Sequence, residues 1–66
     1  IAPQTYAVFT HKGHVTQIGQ TWMAIFSHGL SATGRKMVRA PQFERVTDRF
    51  DPMTGNGEIE IWIPVE

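Results

Sequence analysis

Isoleucine and valine occupy every second position of residues 58–65, at positions 59, 61, 63 and 65. This period of two predicts a β-strand whose apolar face is turned toward a core. Trp62 falls on the opposite face, together with Glu58, Glu60 and Pro64. A large aromatic side chain on the outer face of a sheet needs a cover, so we expect a ligand, another subunit or another domain to pack over Trp62.

The size and composition of the chain exclude several classes of protein. Its 66 residues allow one domain with a small core, which often needs an assembly partner. The lack of cysteine excludes disulfides and thiolate metal sites and fits a reducing compartment, so we expect a cytoplasmic protein. Six basic and six acidic residues form no patch typical of nucleic-acid binding, and no apolar run approaches the ~20 residues of a membrane span. We therefore expect neither nucleic acid nor membrane as a partner.

Because Ile1 stands first, we expect a processed or truncated chain or a part of a longer one.

Three strands and one helix account for the pattern of the sequence. Residues 6–10 predict a first strand that a turn at 11–13 closes, residues 42–47 a second strand after Pro41, and residues 58–65 the third. Residues 51–57 contain many turn formers and predict a long hairpin loop. Between the first two strands, residues 15–29 follow the spacing of a helix that Gly29 ends. We therefore predict an α+β fold, a single β-α-β-β module with an antiparallel sheet and one helix on one of its faces.

The predicted helix has an apolar stripe and an uncharged opposite side. The stripe consists of Val15, Ile18, Trp22, Ile25 and Phe26. No Asp, Glu, Lys or Arg occurs between positions 15 and 30, although a free solvent face usually carries charges. This side of the helix is therefore a candidate contact surface.

Packing the helix on the isoleucine face leaves the other face of the sheet for function. We expect Phe9 and Phe43 to join the helix in the core. The opposite face would then present Glu44, Val46 and Trp62, with Glu60 at a similar level. A carboxylate beside an indole ring suits a lipophilic cation, because the acid supplies charge and the ring supplies a π face.

Four segments of the sequence, taken in order, carry a resemblance to a known family. They are residues 9–13 (FTHKG), 21–22 (TW), 41–44 (PQFE) and 60–65 (EIWIPV). Together they resemble the gyrase-inhibitor-like domain, which also forms the effector-binding domain of AraC- and MerR-type transcription regulators. The resemblance runs from Tyr6 to Val65, and it implies two β-α-β-β modules around a pseudo-two-fold axis with a hydrophobic ligand cleft between them.

The resemblance also implies roles for individual residues. Glu44 matches the acid that meets cationic ligands in the cleft, Trp62 matches an aromatic residue that lines it, and Tyr6 is either a rim residue or a solvated edge residue. The family often has a tyrosine where this chain has Val46, which makes the expected cleft more apolar. Residues 1–66 resemble only the second half of the family domain. We therefore expect a half-domain module that pairs with another copy as a homo-oligomer.

Three functional classes follow, and the first is a binding module for a hydrophobic, cationic or aromatic small molecule. The second is a hydrolase that opens strained rings in genotoxic compounds, with Glu44 as general base. This chain has Val46 where the family often has a tyrosine, which weakens the hydrolase hypothesis. If the chain is not an enzyme, we expect no catalytic residue. The third is a protein-interaction module in which Trp62 only contacts a subunit or a partner protein.

Ordinary structural roles compete with these functional ones. Glu44 could be a surface carboxylate paired with a nearby cation, and Trp22 is best interpreted as core. His11 and His14 are too few ligands for a metal, so we expect neither a metal nor a cofactor.

Overall fold

A computed structural model describes residues 3–66 of the chain, so residues 1 and 2 of the predicted module lie outside the described residues. Within these residues, three strands form one antiparallel sheet: β1 (Thr5–His14), β2 (Phe43–Val46) and β3 (Asn56–Val65). One helical segment, residues 15–33, connects β1 to β2. These elements confirm the predicted α+β fold and its β-α-β-β order.

The first strand is longer than the sequence predicted, because the turn expected at residues 11–13 does not form. β1 continues to His14 and pairs with β3 along its whole length, from Thr5 opposite Val65 to His14 opposite Asn56. Gly13 lies directly opposite Gly57 in this ladder, and both have positive φ, 125° and 136°. Glycine adopts such angles without the clash that a side chain would cause, so the extended pairing passes through both residues.

The helical segment passes through Gly29, where the sequence predicted its end. Val15–Gln17 form a 3₁₀ turn, Ile18–Ala24 an α-helix, Ile25–Gly29 a π turn and Leu30–Thr33 a final α turn. Gly29 has helical angles, and a Cβ atom added to it would lie 3.1 Å from Cε1 of Phe9. Gly29 therefore permits close packing of the helical segment on β1. The left-handed cap is Gly34, with φ 70° and its N–H donated to the Ser31 carbonyl.

The core lies between the helical segment and the middle of the sheet. The strands are ordered β1-β3-β2, which places the isoleucine-rich strand in the centre. Ile61 and Ile63 are fully buried and cluster with Ile25, and partly buried apolar residues pack around them: Phe9, Ile18, Trp22 and Leu30. The Cα atoms extend only 14 Å along the shortest axis of the molecule. One helical layer therefore covers one face of the sheet, and we call the other face the open face.

The register of β2 corrects the predicted assignment of its faces. Phe43 pairs with Trp62, and Glu44 pairs with Ile61. Paired residues point to the same side of a sheet, so Phe43 lies on the open face, whereas Glu44 and Val46 lie on the helix side. The alternation along β2 was predicted correctly. The choice between its two faces was wrong, because a shift of one residue in register exchanges them.

Candidate functional site

An acid and an indole ring lie in contact where the helical segment meets β2. The Trp22 Nε1–H donates a hydrogen bond of 2.7 Å to Oε2 of Glu44. Trp22 is partly buried against the core, and Glu44 is exposed. One hydrogen bond leaves the carboxylate with its remaining acceptor capacity turned toward solvent. The predicted pair of acid and indole therefore exists, but its indole belongs to Trp22 and not to Trp62.

Apolar side chains continue this site on its exposed side. Phe26 stacks on Trp22, with ring centroids 5.9 Å apart and 20° between the planes. Phe26 is 49% exposed, and Val46, which lies on the same side of β2 as Glu44, is 61% exposed. We call Glu44, Val46, Trp22 and Phe26 the Glu44 site. It combines an accessible carboxylate, a π face and uncovered apolar surface, which suits a lipophilic cation.

A second group of aromatic residues covers Trp62 on the open face. Phe43 stacks on Trp62 with centroids 5.3 Å apart, and Tyr6 meets both rings edge to face at 5.4 and 5.5 Å. The Trp62 Nε1–H donates to Oε1 of Glu60 at 3.1 Å. We call Tyr6, Phe43 and Trp62 the aromatic cluster. Its rings prefer such stacked and edge-to-face geometries, so the chain itself provides part of the cover that Trp62 needs.

The four residues predicted to bind ligand thus divide between the two faces of the sheet. Glu44 and Val46 lie on the helix side, and Trp62 and Tyr6 lie on the open face. The prediction that Trp62 points away from the isoleucine face is confirmed. The prediction that Glu44 lies beside it is wrong, because the register of β2 turns Glu44 toward the helical segment.

The two neighbouring histidines have structural roles. His11 is 4% exposed, and its Nε2–H donates to the His14 carbonyl oxygen at 2.9 Å. Its Nδ1 is hydrogen-bonded to the Thr21 hydroxyl, which ties β1 to the helical segment. His14 caps the start of that segment by accepting from the Thr16 N–H at 3.2 Å. Among residues 3–66, no group of three or more His, Asp or Glu side chains is placed to hold a metal ion.

Sequence reasoning missed the contribution of the helical segment to the Glu44 site. The sequence pattern predicts Trp22 as a core residue, which is correct for its ring but does not account for its N–H, which donates to Glu44. Phe26 belongs to the predicted apolar stripe, and its spacing of four residues from Trp22 is the signal that predicts their stacking. No sequence signal indicated the contact with Glu44, because it joins positions 22 residues apart through the register of β2.

Two comparisons connect this geometry to known proteins. Residues 1–65 match a family model described as an integron-associated effector binding protein. The chain is also 38% identical, over 66 residues, to the transcriptional regulator BrlR of Pseudomonas aeruginosa (strain PAO1). That match covers 98% of this chain but 24% of the regulator, so the chain spans about a quarter of this relative's length. Both comparisons confirm the predicted resemblance to effector-binding domains.

Proposed function

Because the chain belongs to the family of integron-associated effector-binding proteins, we propose that it binds a hydrophobic small molecule, cationic or aromatic, at the Glu44 site. The observation that carries this proposal is the hydrogen bond from Trp22 to the exposed carboxylate of Glu44. It holds the acid against an indole ring, so that a bound cation would meet a full charge and a π face together.

The surroundings of Glu44 favour a ligand with substantial apolar surface. Phe26 and Val46 leave about half or more of their surface in contact with water, at 49% and 61% exposure. A ligand that covers them removes this apolar area from water, which stabilises the complex by about 25 cal/mol per Å². A small hydrophilic cation would gain only the electrostatic part, which is weak at an exposed site.

We further propose that residues 1–66 act as a half-domain, and that a second copy closes the cleft over the Glu44 site. The helical segment contains no Asp, Glu, Lys or Arg and exposes Met23 (71%) and Phe26 (49%). Exposed apolar residues next to a candidate ligand site are typical of contact surfaces. Since the similar protein BrlR is a transcriptional regulator, effector binding by this module would serve to sense a compound for such a regulator.

The proposal is tested by titrating the chain with tetraphenylphosphonium, a lipophilic cation, and recording tryptophan fluorescence. We expect saturable quenching in the wild type. Glu44→Gln keeps the size of the side chain and removes its charge, so we expect binding to weaken about tenfold, which corresponds to the loss of one charge-assisted contact.

Two control variants define what the result means. Glu66→Gln removes one negative charge at the end of the chain and should leave the affinity unchanged. Glu60→Gln removes the acid beside Trp62 on the open face. Equal binding by the wild type and Glu44→Gln, or a loss confined to Glu60→Gln, would show that the Glu44 site does not hold the cation.

A further inference from the structure

A cavity beside β2 is lined mainly by residues outside the Glu44 site, with which it shares only Val46. It has a volume of about 390 Å³, opens to solvent and is lined by Arg45, Val46, Thr47, Asp48 and Glu60. Arg45 pairs with Glu60 directly across the β2–β3 ladder, on the same face as Trp62. Two of its charged residues, Arg45 and Glu60, therefore lie on the same face as the aromatic cluster, whereas Glu44 lies on the helix side.

Among residues 3–66, Arg45 has no carboxylate within salt-bridge distance. The ion pairs within residues 3–66 join Glu58 to Lys12 at 4.0 Å and to Arg49 at 3.6 Å. Glu60, which faces Arg45 across the ladder, instead accepts the hydrogen bond of the Trp62 indole. The Arg45 guanidinium thus keeps its fork of N–H donors for a planar anion such as a carboxylate, which it can bind through two parallel hydrogen bonds.

The same cavity presents negative charge as well. The acidic residues Asp48 and Glu60 line it together with Arg45. A simple anion would be attracted by Arg45 but repelled by the two acids, and a simple cation would leave Arg45 unpaired. A molecule with an ammonium and a carboxylate close together satisfies both charges at once, because each group meets its opposite.

The aromatic cluster adds a binding surface at a fixed distance from these charges. Phe43 pairs with Trp62, and Arg45 pairs with Glu60, so the two pairs are neighbours on one face of the ladder. Residues two apart on a strand are separated by about 7 Å. This spacing is comparable to the length of an aromatic amino acid from its charged groups to its ring, and Phe43 is 40% exposed and able to stack on such a ring.

We propose that this cavity and the aromatic cluster form a second site, which binds a free aromatic amino acid as its zwitterion. Arg45 binds the carboxylate, Asp48 and Glu60 accept hydrogen bonds from the ammonium group, and the ring packs on Phe43 and Trp62. This proposal does not depend on the function proposed for the Glu44 site. Arg45, Glu60 and the aromatic cluster lie on the face opposite to Glu44, and the two sites, which share only Val46, prefer ligands of different charge.

The test is a titration of the ¹⁵N-labelled 66-residue chain with L-phenylalanine, followed by NMR. The chain has two tryptophans, and their indole N–H signals report separately on the two faces of the sheet. We expect a saturable shift of the Trp62 signal and none of the Trp22 signal. Phenethylamine, which lacks the carboxylate, and 3-phenylpropionate, which lacks the ammonium group, should each bind about tenfold more weakly, as expected for the loss of one charge-assisted contact.

Single substitutions then separate the charges of the site. Arg45→Gln should weaken the binding of L-phenylalanine about tenfold and should not weaken that of phenethylamine, because only the former has a carboxylate. Arg39→Gln, which removes an exposed cation outside the cavity, should change neither. The proposal is overturned if the Trp62 signal does not saturate, if Arg45→Gln binds L-phenylalanine like the wild type, or if the Trp22 signal shifts instead.

Discussion

At the scale of single residues, two glycines permit β1 and β3 to pair along their full length. Gly13 and Gly57 face each other with φ of 125° and 136°, but their surroundings differ. A Cβ atom at Gly13 would meet no atom within 4 Å, whereas at Gly57 it would overlap the Arg49 carbonyl oxygen and the Phe50 Cα. Both positions require an unusual backbone conformation, but only Gly57 also lacks room for a side chain.

This difference predicts unequal costs for two matched substitutions. Gly13→Ala should lower the free energy of unfolding by about 1–3 kcal/mol, the cost of holding a residue with a side chain at an unfavourable φ. Gly57→Ala should cost clearly more, because the strand must also move away from Arg49 and Phe50. Urea unfolding followed by circular dichroism measures both values. Equal losses in the two variants would contradict the steric role of Gly57.

At the scale of secondary-structure elements, a buried histidine connects the longest strand pair to the helical segment. His11 donates to the His14 carbonyl, and a carbonyl can only accept, so Nε2 carries the proton in this bond. In the neutral ring Nδ1 is then an acceptor, and the Thr21 hydroxyl donates to it. The next residue is Trp22, so this bond also holds the part of the helical segment that contacts Glu44.

The link predicts a specific effect of removing the Thr21 hydroxyl. Thr21→Val keeps the shape of the side chain but leaves a buried acceptor without a donor, which should lower stability by about 1–3 kcal/mol. Thr10→Val is the control, because Thr10 is an exposed residue of β1. Thermal unfolding of the three proteins measures the effect, and a Thr21→Val variant as stable as Thr10→Val would argue against the hydrogen bond.

At the scale of the whole molecule, the fold leaves much of its apolar surface in water. Within residues 3–66, the buried hydrophobic core consists of Ile25, Ile59, Ile61, Ile63 and Val65, whereas eight large apolar residues remain exposed. A 66-residue chain with one helical layer has little interior to offer them. No helix within residues 3–66 is long and apolar enough to cross a membrane. The pairing proposed above would cover the exposed residues of the helical segment, Met23 and Phe26 among them.

Pairing through the helical segment predicts the effect of placing a charge on it. We expect the wild-type chain to sediment as a dimer and Met23→Glu to sediment as a monomer, because burying an unpaired carboxylate at an interface is unfavourable. Met53→Glu is the matched control, since Met53 is 91% exposed in the loop before β3. Sedimentation velocity at several concentrations measures the association. A wild type that stays monomeric, or a dimer that Met23→Glu leaves intact, would refute the pairing.

The sequence by itself determined the elements and the faces that depend on local periodicity. The alternation of residues 58–65 was enough to place Ile61 and Ile63 inside and Trp62 on the other face, because side chains along a strand alternate whatever surrounds it. The spacing of apolar residues in the segment after β1 predicted the helix, because the helical period is also a local property of the chain. Four short segments, taken in their order along the chain, indicated the family of effector-binding domains, which the comparisons confirm.

Only the tertiary structure decided which face of β2 joins which partners. The nine residues between β2 and β3 do not define the register in which the two strands pair. A shift of that register by one residue exchanges Phe43 with Glu44 between the two sides of the sheet. The role of Gly29 likewise depends on a residue distant in sequence, Phe9. A side chain at position 29 would crowd the Phe9 ring, so this position favours glycine. Periodicity is a local property of the chain, whereas register and close packing arise between segments far apart in sequence. For that reason the sequence indicated an acid beside an indole, and the fold decided that the indole is Trp22.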